Sequence, residues 1–148
     1  MSVTYAFRDV SASMVGPGGA INLGADAGAA EEGITIEPNE DIDTLTVGAD
    51  GTPMHSLHSD RSGTIRVRLL KTSPTNQKLA QLYAIQTADS SQHGQNTLTV
   101  ANTYTQDMIS CQKVAFKRPP TLTYAKEGGM NEWEFSAGII DRVLGGVT

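Results

Sequence analysis

The sequence has one cysteine, Cys111, among 148 residues. A lone thiol excludes an intrachain disulfide and a thiolate metal cluster. In its apolar, strand-like surroundings Cys111 reads as a small buried hydrophobe. Aromatic residues amount to only 5%, too few for a wide stacking platform for bases or sugars. No apolar run approaches the ~20 residues that a membrane-spanning helix requires. Met1 to Arg8 lacks a basic start followed by an apolar core, so neither a membrane partner nor a secretory signal is expected. Positive charge is also scarce, with eleven Lys and Arg against sixteen Asp and Glu and a net charge of −5. An acidic chain gains nothing from counterion release on a phosphate backbone, which argues against sequence-independent nucleic-acid binding. A soluble protein made in a cytoplasm is the expectation.

What is present is a globular composition, with 39% hydrophobic and 18% charged residues and fifteen glycines. A chain of this length buries roughly 68–70% of its unfolded surface and needs no disulfide or metal to hold a core. A single domain over residues 1–148 is expected, since no linker divides the chain and no internal repeat is visible. Charge is unevenly placed. Residues 1–60 carry −9 and residues 61–148 carry +4. This is either the mixed surface of one domain or a pair of complementary faces suited to head-to-tail association of identical copies.

The dominant period is two. Thr64-Ile65-Arg66-Val67-Arg68-Leu69 alternates cleanly, putting Ile65, Val67 and Leu69 on a core face and the two arginines opposite. Asn131 to Ile139 does the same, with Trp133, Phe135, Ala137 and Ile139 inward. Thr44 to Val47, Thr97 to Val100 and Thr121 to Tyr124 are shorter strand signals rich in β-branched residues. Between Met108 and Phe116 the phase breaks, and one extra residue near Gln112-Lys113 restores it, which predicts a β-bulge there. A similar phase change predicts a bend or bulge near Arg8-Asp9.

One helix is expected, over about residues 74–88. Ser73 can cap it, Pro74 suits its first turn, and Leu79, Leu82, Tyr83 and Ile85 form an apolar stripe. A single helix cannot build an α/β alternation. The fold class is therefore mainly β, a β-sandwich or barrel of about seven strands with one flanking α-helix. Gly48, Asp50, Gly51, Gly63, Ser73 and Pro74 are the turn and cap residues, Asp50-Gly51 supplying positive φ for a hairpin. Ile65, Val67, Leu69, Leu79, Leu82, Trp133 and Phe135 are the expected core. Flexible loops are expected near 16–33 and 48–62.

Signals for chemistry are absent or weak. His55 and His58 are three apart but have no third ligand in reach, and His93 stands alone. Asp41, Asp43 and Asp50 do not fit a calcium loop. Gly16-Pro17-Gly18-Gly19 is not followed by the Lys-Ser/Thr of a phosphate loop, and no G-x-S-x-G elbow occurs. No catalytic residue, metal site or cofactor is expected, and the protein reads as a non-enzyme.

A larger pattern remains. Val47-Gly48-Ala49-Asp50-Gly51, Arg61-Ser62-Gly63-Thr64-Ile65 and Thr72-Ser73-Pro74-Thr75-Asn76-Gln77-Lys78-Leu79 occur in that order. They are followed by Arg118-Pro119-Pro120 through Lys126-Glu127, then Asn131-Glu132-Trp133-Glu134-Phe135, then Gly145-Gly146. In order and spacing this set resembles the tail tube proteins of contractile-tailed bacteriophages, over roughly residues 34–146. The resemblance implies a structural virion protein of the tail, assembled in the bacterial cytoplasm. Its subunits would form hexameric rings that stack head to tail into a hollow tube for the genome. Implied partners are further copies of itself and the sheath, baseplate and tail-terminator proteins, with viral DNA passing the lumen unbound.

On that reading, function lies in edge strands pairing within a ring and loops bridging rings. The bridging candidates are Gly24, Asp26, Glu31 and Glu32 in one segment and Met54, His55, Leu57 and Arg61 in another. Arg66 and Arg68 are expected to be neutralised by acids, drawn from Glu37 to Asp43, so that a lumen stays neutral to acidic. The competing reading is a monomeric β-sandwich binding module of carbohydrate or adhesin type. Such modules present several aromatics on one face, whereas Trp133 alternates in phase with Phe135 and reads as core.

Overall fold

A computed structural model of the chain describes residues 10–23, 29–102 and 104–144, side chains at 29–32 excepted. The protein is mainly β, with one helix. The strands are β1 (Val10–Gly16), β2 (Gly19–Asn22), β3 (Ala29–Pro38), β4 (Asp43–Val47), β5 (Pro53–Leu57) and β6 (Gly63–Leu70). After helix α1 (Thr75–Ala88) come β7 (Asn96–Asn102), β8 (Asp107–Arg118), β9 (Met130–Ala137) and β10 (Ile139–Val143). An antiparallel sheet runs in the order β2-β1-β7-β8-β9-β6-β3, with β10 also on β8, while β4 and β5 form a separate two-stranded hairpin.

The long strand β8 joins two layers. Its first half ladders with β7 and β10 and its second half with β9. The change falls at the expected bulge: Asn96 pairs with Val114 but Leu98 with Cys111, so β8 holds one extra residue between them. Lys113 there has φ +56. The bulge returns Val114 and Phe116 to the buried face shared with Cys111, and the added twist lets the sheet fold over its own core. Gly138 lies opposite and donates its N–H to the carbonyls of Gln112 and Lys113 at 3.0 and 3.2 Å. A Cβ at Gly138 would stand 3.0 Å from that of Lys113. This break corrects one expectation. Ala137 and Ile140 are buried, and Ile139 faces outward, because the strand is interrupted between them. The expected bend or bulge at Arg8-Asp9 lies outside the described residues.

Ile65, Val67, Leu69, Leu79, Leu82, Trp133 and Phe135 all lie in one cluster of buried side chains, together with Met14, Leu23, Leu98, Cys111, Val114 and Phe116. Val67 pairs with Trp133 and Ile65 with Phe135 across β6 and β9. Phe116 meets Trp133, Phe135 and Tyr83 with ring centroids 6.0, 5.0 and 5.6 Å apart. The contacts with Tyr83 and Trp133 are edge-to-face and that with Phe135 is tilted, geometries that add to the burial term.

The helix is seated differently from its apolar stripe. Its buried positions are Thr75, Leu79, Leu82 and Gln86, and Ile85 is exposed. Gln86 takes the inner position because its amide is fully used: Nε2 donates to the Pro17 carbonyl at 2.9 Å and to Asn96 Oδ1 at 2.8 Å. At the other end the Ser73 hydroxyl accepts the Thr75 N–H at 3.3 Å, and Pro74 has helical φ −66 and ψ −16. A second correction concerns Thr121 to Tyr124, which is not a strand. It follows Pro119-Pro120, which offer no N–H to a ladder, and its Leu122 and Tyr124 are exposed.

Candidate assembly surfaces

The β4–β5 hairpin projects as an arm. It continues the β3–β6 ladder, because Asn39 N–H reaches the Ser62 carbonyl at 3.1 Å and His58 N–H reaches the Ile42 carbonyl at 2.8 Å. At its tip Gly51 has φ +87, Gly51 N–H bonds the Gly48 carbonyl, and Asp50 Oδ1 accepts the Thr52 N–H at 3.0 Å. Those bonds from Thr52 hold the Asp50 carboxyl below the usual carboxylate range. The Ser62 hydroxyl and N–H do the same for Asp60 at the arm's base. Segment 48–62 is thus a tight turn, a strand and a short return, not one loop, since β5 is laddered along its whole length to β4.

Every residue of the arm's two strands is exposed except half-buried Ser56. Pairing of Asp43 with Leu57, Leu45 with His55 and Val47 with Pro53 puts Leu45, Val47, Pro53 and Leu57 on one face. Leu45, Val47, Met54 and Leu57 are exposed, Leu57 by 84%. His55 Nδ1 lies 3.0 Å from Asp43 Oδ2 on that same face, and His58 Nε2 lies 2.7 Å from Thr44 Oγ1. Glu40, Asp41, Asp43, Asp50 and Asp60 are the charged residues of segment 39–60, which holds no Lys or Arg. Arg61, next to it, pairs with Asp141 at 2.8 Å.

A second apolar surface sits at the other end of β6. Leu70 pairs with Met130 at the ladder's end, and both are exposed along with Leu122 and Tyr124. Lys71 lies over the Tyr124 ring at 4.0 Å from its centroid and donates to the Thr123 carbonyl. The loop leading into Met130 carries Lys126 and Glu127, while Arg118 stands back along the ladder, in register with Glu134.

Between these ends runs a polar ladder on β3, β6 and β9. Arg66 bonds Glu37 at 2.9 Å and lies 3.7 Å from Glu134 and 3.9 Å from Glu132. Arg68 bonds Glu132 at 3.0 Å and the Thr35 hydroxyl at 3.0 Å. The hydrogen bond to Glu37, then the nearby carboxylates, raise the Arg66 guanidinium further above its ordinary value. Arg118 stands in register with Glu134 on the same face, so three guanidiniums against three carboxylates leave it close to neutral. Glu37 belongs to the acids expected there. Glu132 and Glu134 were missed, although their alternation with Trp133 and Phe135 signals that they lie opposite Arg68 and Arg66 in an antiparallel pair.

The profile of the phage family described as Bacteriophage PhiTE tail tube protein matches residues 1–145. The chain belongs to this family. It is a structural protein of a bacteriophage tail tube, and the match includes the first thirty residues, where the sequence shows no signature of its own. No curated protein sequence matches the chain. Solved structures share the fold of this tube protein. One is from the sheath–tube complex of an extracellular contractile injection system, PVC, in the extended state. It has TM-score 0.59 at 10% identity over 97% of this chain and 92% of that one. Another is from the six-fold symmetrised baseplate of the anti-feeding prophage, with TM-score 0.62 at 6% identity over 97% of both chains. A third, from the tube-terminating cap of that prophage, has TM-score 0.57 at 10% identity over 97% of this chain and 95% of that one.

Of the residues singled out for ring stacking in the tube protein, Met54, His55 and Leu57 lie on β5, with Arg61 at the base of the arm. Gly24 and Asp26 lie outside the described residues, and Glu31 and Glu32 fall within β3. Gly63 stands where β6 leaves the arm, and a Cβ there would meet the Glu37 carbonyl oxygen at 2.6 Å. Cys111 is buried, and burial pushes its thiol up to about 11. Among the described residues no group of three or more His, Cys, Asp or Glu is placed to hold a metal ion, and no helix is long and apolar enough to cross a membrane.

Proposed function

We propose that this tube protein forms hexameric rings that stack head to tail into the hollow tail tube of a contractile-tailed phage or a phage-derived particle, without enzymatic activity. The carrying observation is the tail tube family match over residues 1–145. The fold likeness to chains of sheath–tube, terminator and six-fold baseplate assemblies supports rings of six and partners among sheath, baseplate and terminator proteins. Assembly would take place in the host cytoplasm. The arm and the segment near 24–33 are the proposed bridges between rings. Size-exclusion chromatography with light scattering and negative-stain imaging tests this. Rings or tubes of even diameter are expected. A clean 15.7-kDa monomer at high concentration would instead favour the binding-module reading.

A conduit must let a polyanion slide. The neutralisation of Arg66 and Arg68 by Glu37, Glu132 and Glu134 suits a surface that does not grip phosphate. Exposed pairs of this kind stabilise little, ~0–1 kcal/mol each, so their effect is on the field. In fluorescence anisotropy at low ionic strength, labelled duplex DNA is expected to remain free at micromolar protein. Micromolar binding that weakens steeply with salt would mark a DNA-gripping surface and remove the conduit role.

A further inference from the structure

The two ends of β6 differ in charge and share exposed apolar side chains. At one end is the arm, with Leu45, Val47 and Leu57 bare and five acids without a Lys or Arg in segment 39–60. At the other are Leu70, Leu122, Tyr124 and Met130, also bare, with Lys71 over the Tyr124 ring and Lys126 and Glu127 in the loop that leads into Met130. A free two-stranded hairpin is marginally stable in water and needs a further layer against its apolar face. Clusters of exposed apolar side chains rimmed by charge mark interaction sites. The arm cannot reach its own chain's second surface, because β6 spans eight residues, Gly63–Leu70, or roughly 23 Å at ~3.3 Å per residue, and the arm leaves from the opposite end.

We infer that the arm's Leu45–Val47–Leu57 face docks on the Leu70–Leu122–Tyr124–Met130 surface of a second copy of this chain. The charges select this pairing over its rivals. Arm against arm would place Glu40, Asp41, Asp43 and Asp60 of two copies together, and like charges across an interface are disfavoured. Arm against the opposite end sets those acids beside Lys71 and the loop that carries Lys126. A contact between unlike surfaces is heterologous, so each copy keeps one free arm and one free acceptor, and the array grows until it closes into a ring or continues as a stack. The inference rests on the tube reading and deepens it by naming the acceptor.

Cysteine crosslinking tests it, with buried Cys111 left in place as an unreactive background. Leu57→Cys and Tyr124→Cys are made singly and together, and each protein is oxidised under assembly conditions and run on a non-reducing denaturing gel. The double variant is expected to give a ladder of covalent multimers. An equimolar mixture of the two single variants is expected to stop at dimers, and each single variant alone should remain monomeric. Dimers from Leu57→Cys alone would mean arm-to-arm contact and overturn the inference. Tubes visible by negative stain without a ladder would also overturn it while leaving the tube reading intact. Neither multimers nor tubes from any variant or from the unmodified chain would overturn both.

Discussion

Trp133→Ala is expected to lower stability by about 3–5 kcal/mol, the range for emptying a large aromatic site in a packed core. The indole is 4% exposed, stands edge-on to Phe116 at 6.0 Å and pairs with Val67 across the ladder. Its loss also acts beyond the cavity. Trp133 Nε1–H donates to Asn76 Oδ1 at 3.0 Å, and Asn76 Nδ2 holds the Leu70 carbonyl at 2.9 Å. The indole therefore ties the first turn of α1 to the end of β6. Trp133→Phe keeps most of the ring contact and loses the hydrogen bond, so it should cost much less. Urea unfolding of both variants measures the difference. A midpoint unchanged in Trp133→Ala would place the indole on the surface.

The core strands were legible because their burial lies within this chain. Alternation in Thr64 to Leu69 and in Asn131 to Phe135 matches the pairing of β6 with β9 residue for residue, and the broken phase of Met108 to Phe116 located the bulge at Gln112-Lys113. Periodicity misled where polarity and burial part company. Ile85 continued an apolar stripe, yet Gln86 is the residue inside, because a fully hydrogen-bonded amide can be buried at little net cost. Ile139 continued another, but the interruption at Gly138 turned it outward. Thr121 to Tyr124 reads as a strand by composition and has no ladder partner among the described residues. The arm was visible as a turn at Asp50-Gly51. Its apolar face has the period of a half-buried strand, and nothing in a period of two says which molecule supplies the cover.

The second large effect is expected at the paired amides of Gln86 and Asn96, both fully buried. Asn96 Nδ2 donates to Gln86 Oε1 at 2.6 Å and to the Val114 carbonyl at 3.0 Å, and Gln86 Nε2 returns a bond to Asn96 Oδ1 at 2.8 Å. The pair connects the last turn of α1 to β7, to the bulged strand β8 and, through the Pro17 carbonyl, to the β1–β2 turn. Gly16 makes room for it, since a Cβ there would fall 1.8 Å from Asn96 Oδ1. Asn96→Ala takes a donor from both Gln86 Oε1 and the Val114 carbonyl, and leaving buried polar groups short of partners costs about 1–3 kcal/mol each. A loss of about 2–6 kcal/mol is expected on that count. Gln86→Leu takes partners from Asn96 Oδ1, from one Asn96 Nδ2–H and from the Pro17 carbonyl, so a loss of similar size is expected. The double variant should then cost less than the two singles added, by a coupling in the range of about 0.5–3 kcal/mol for residues of one network. Denaturant unfolding of the four proteins closes this cycle. Additivity within about 0.3–0.5 kcal/mol, the behaviour of independent sites, would mean that the helix is held by Leu79 and Leu82 alone and that the amide pair merely fills space between them.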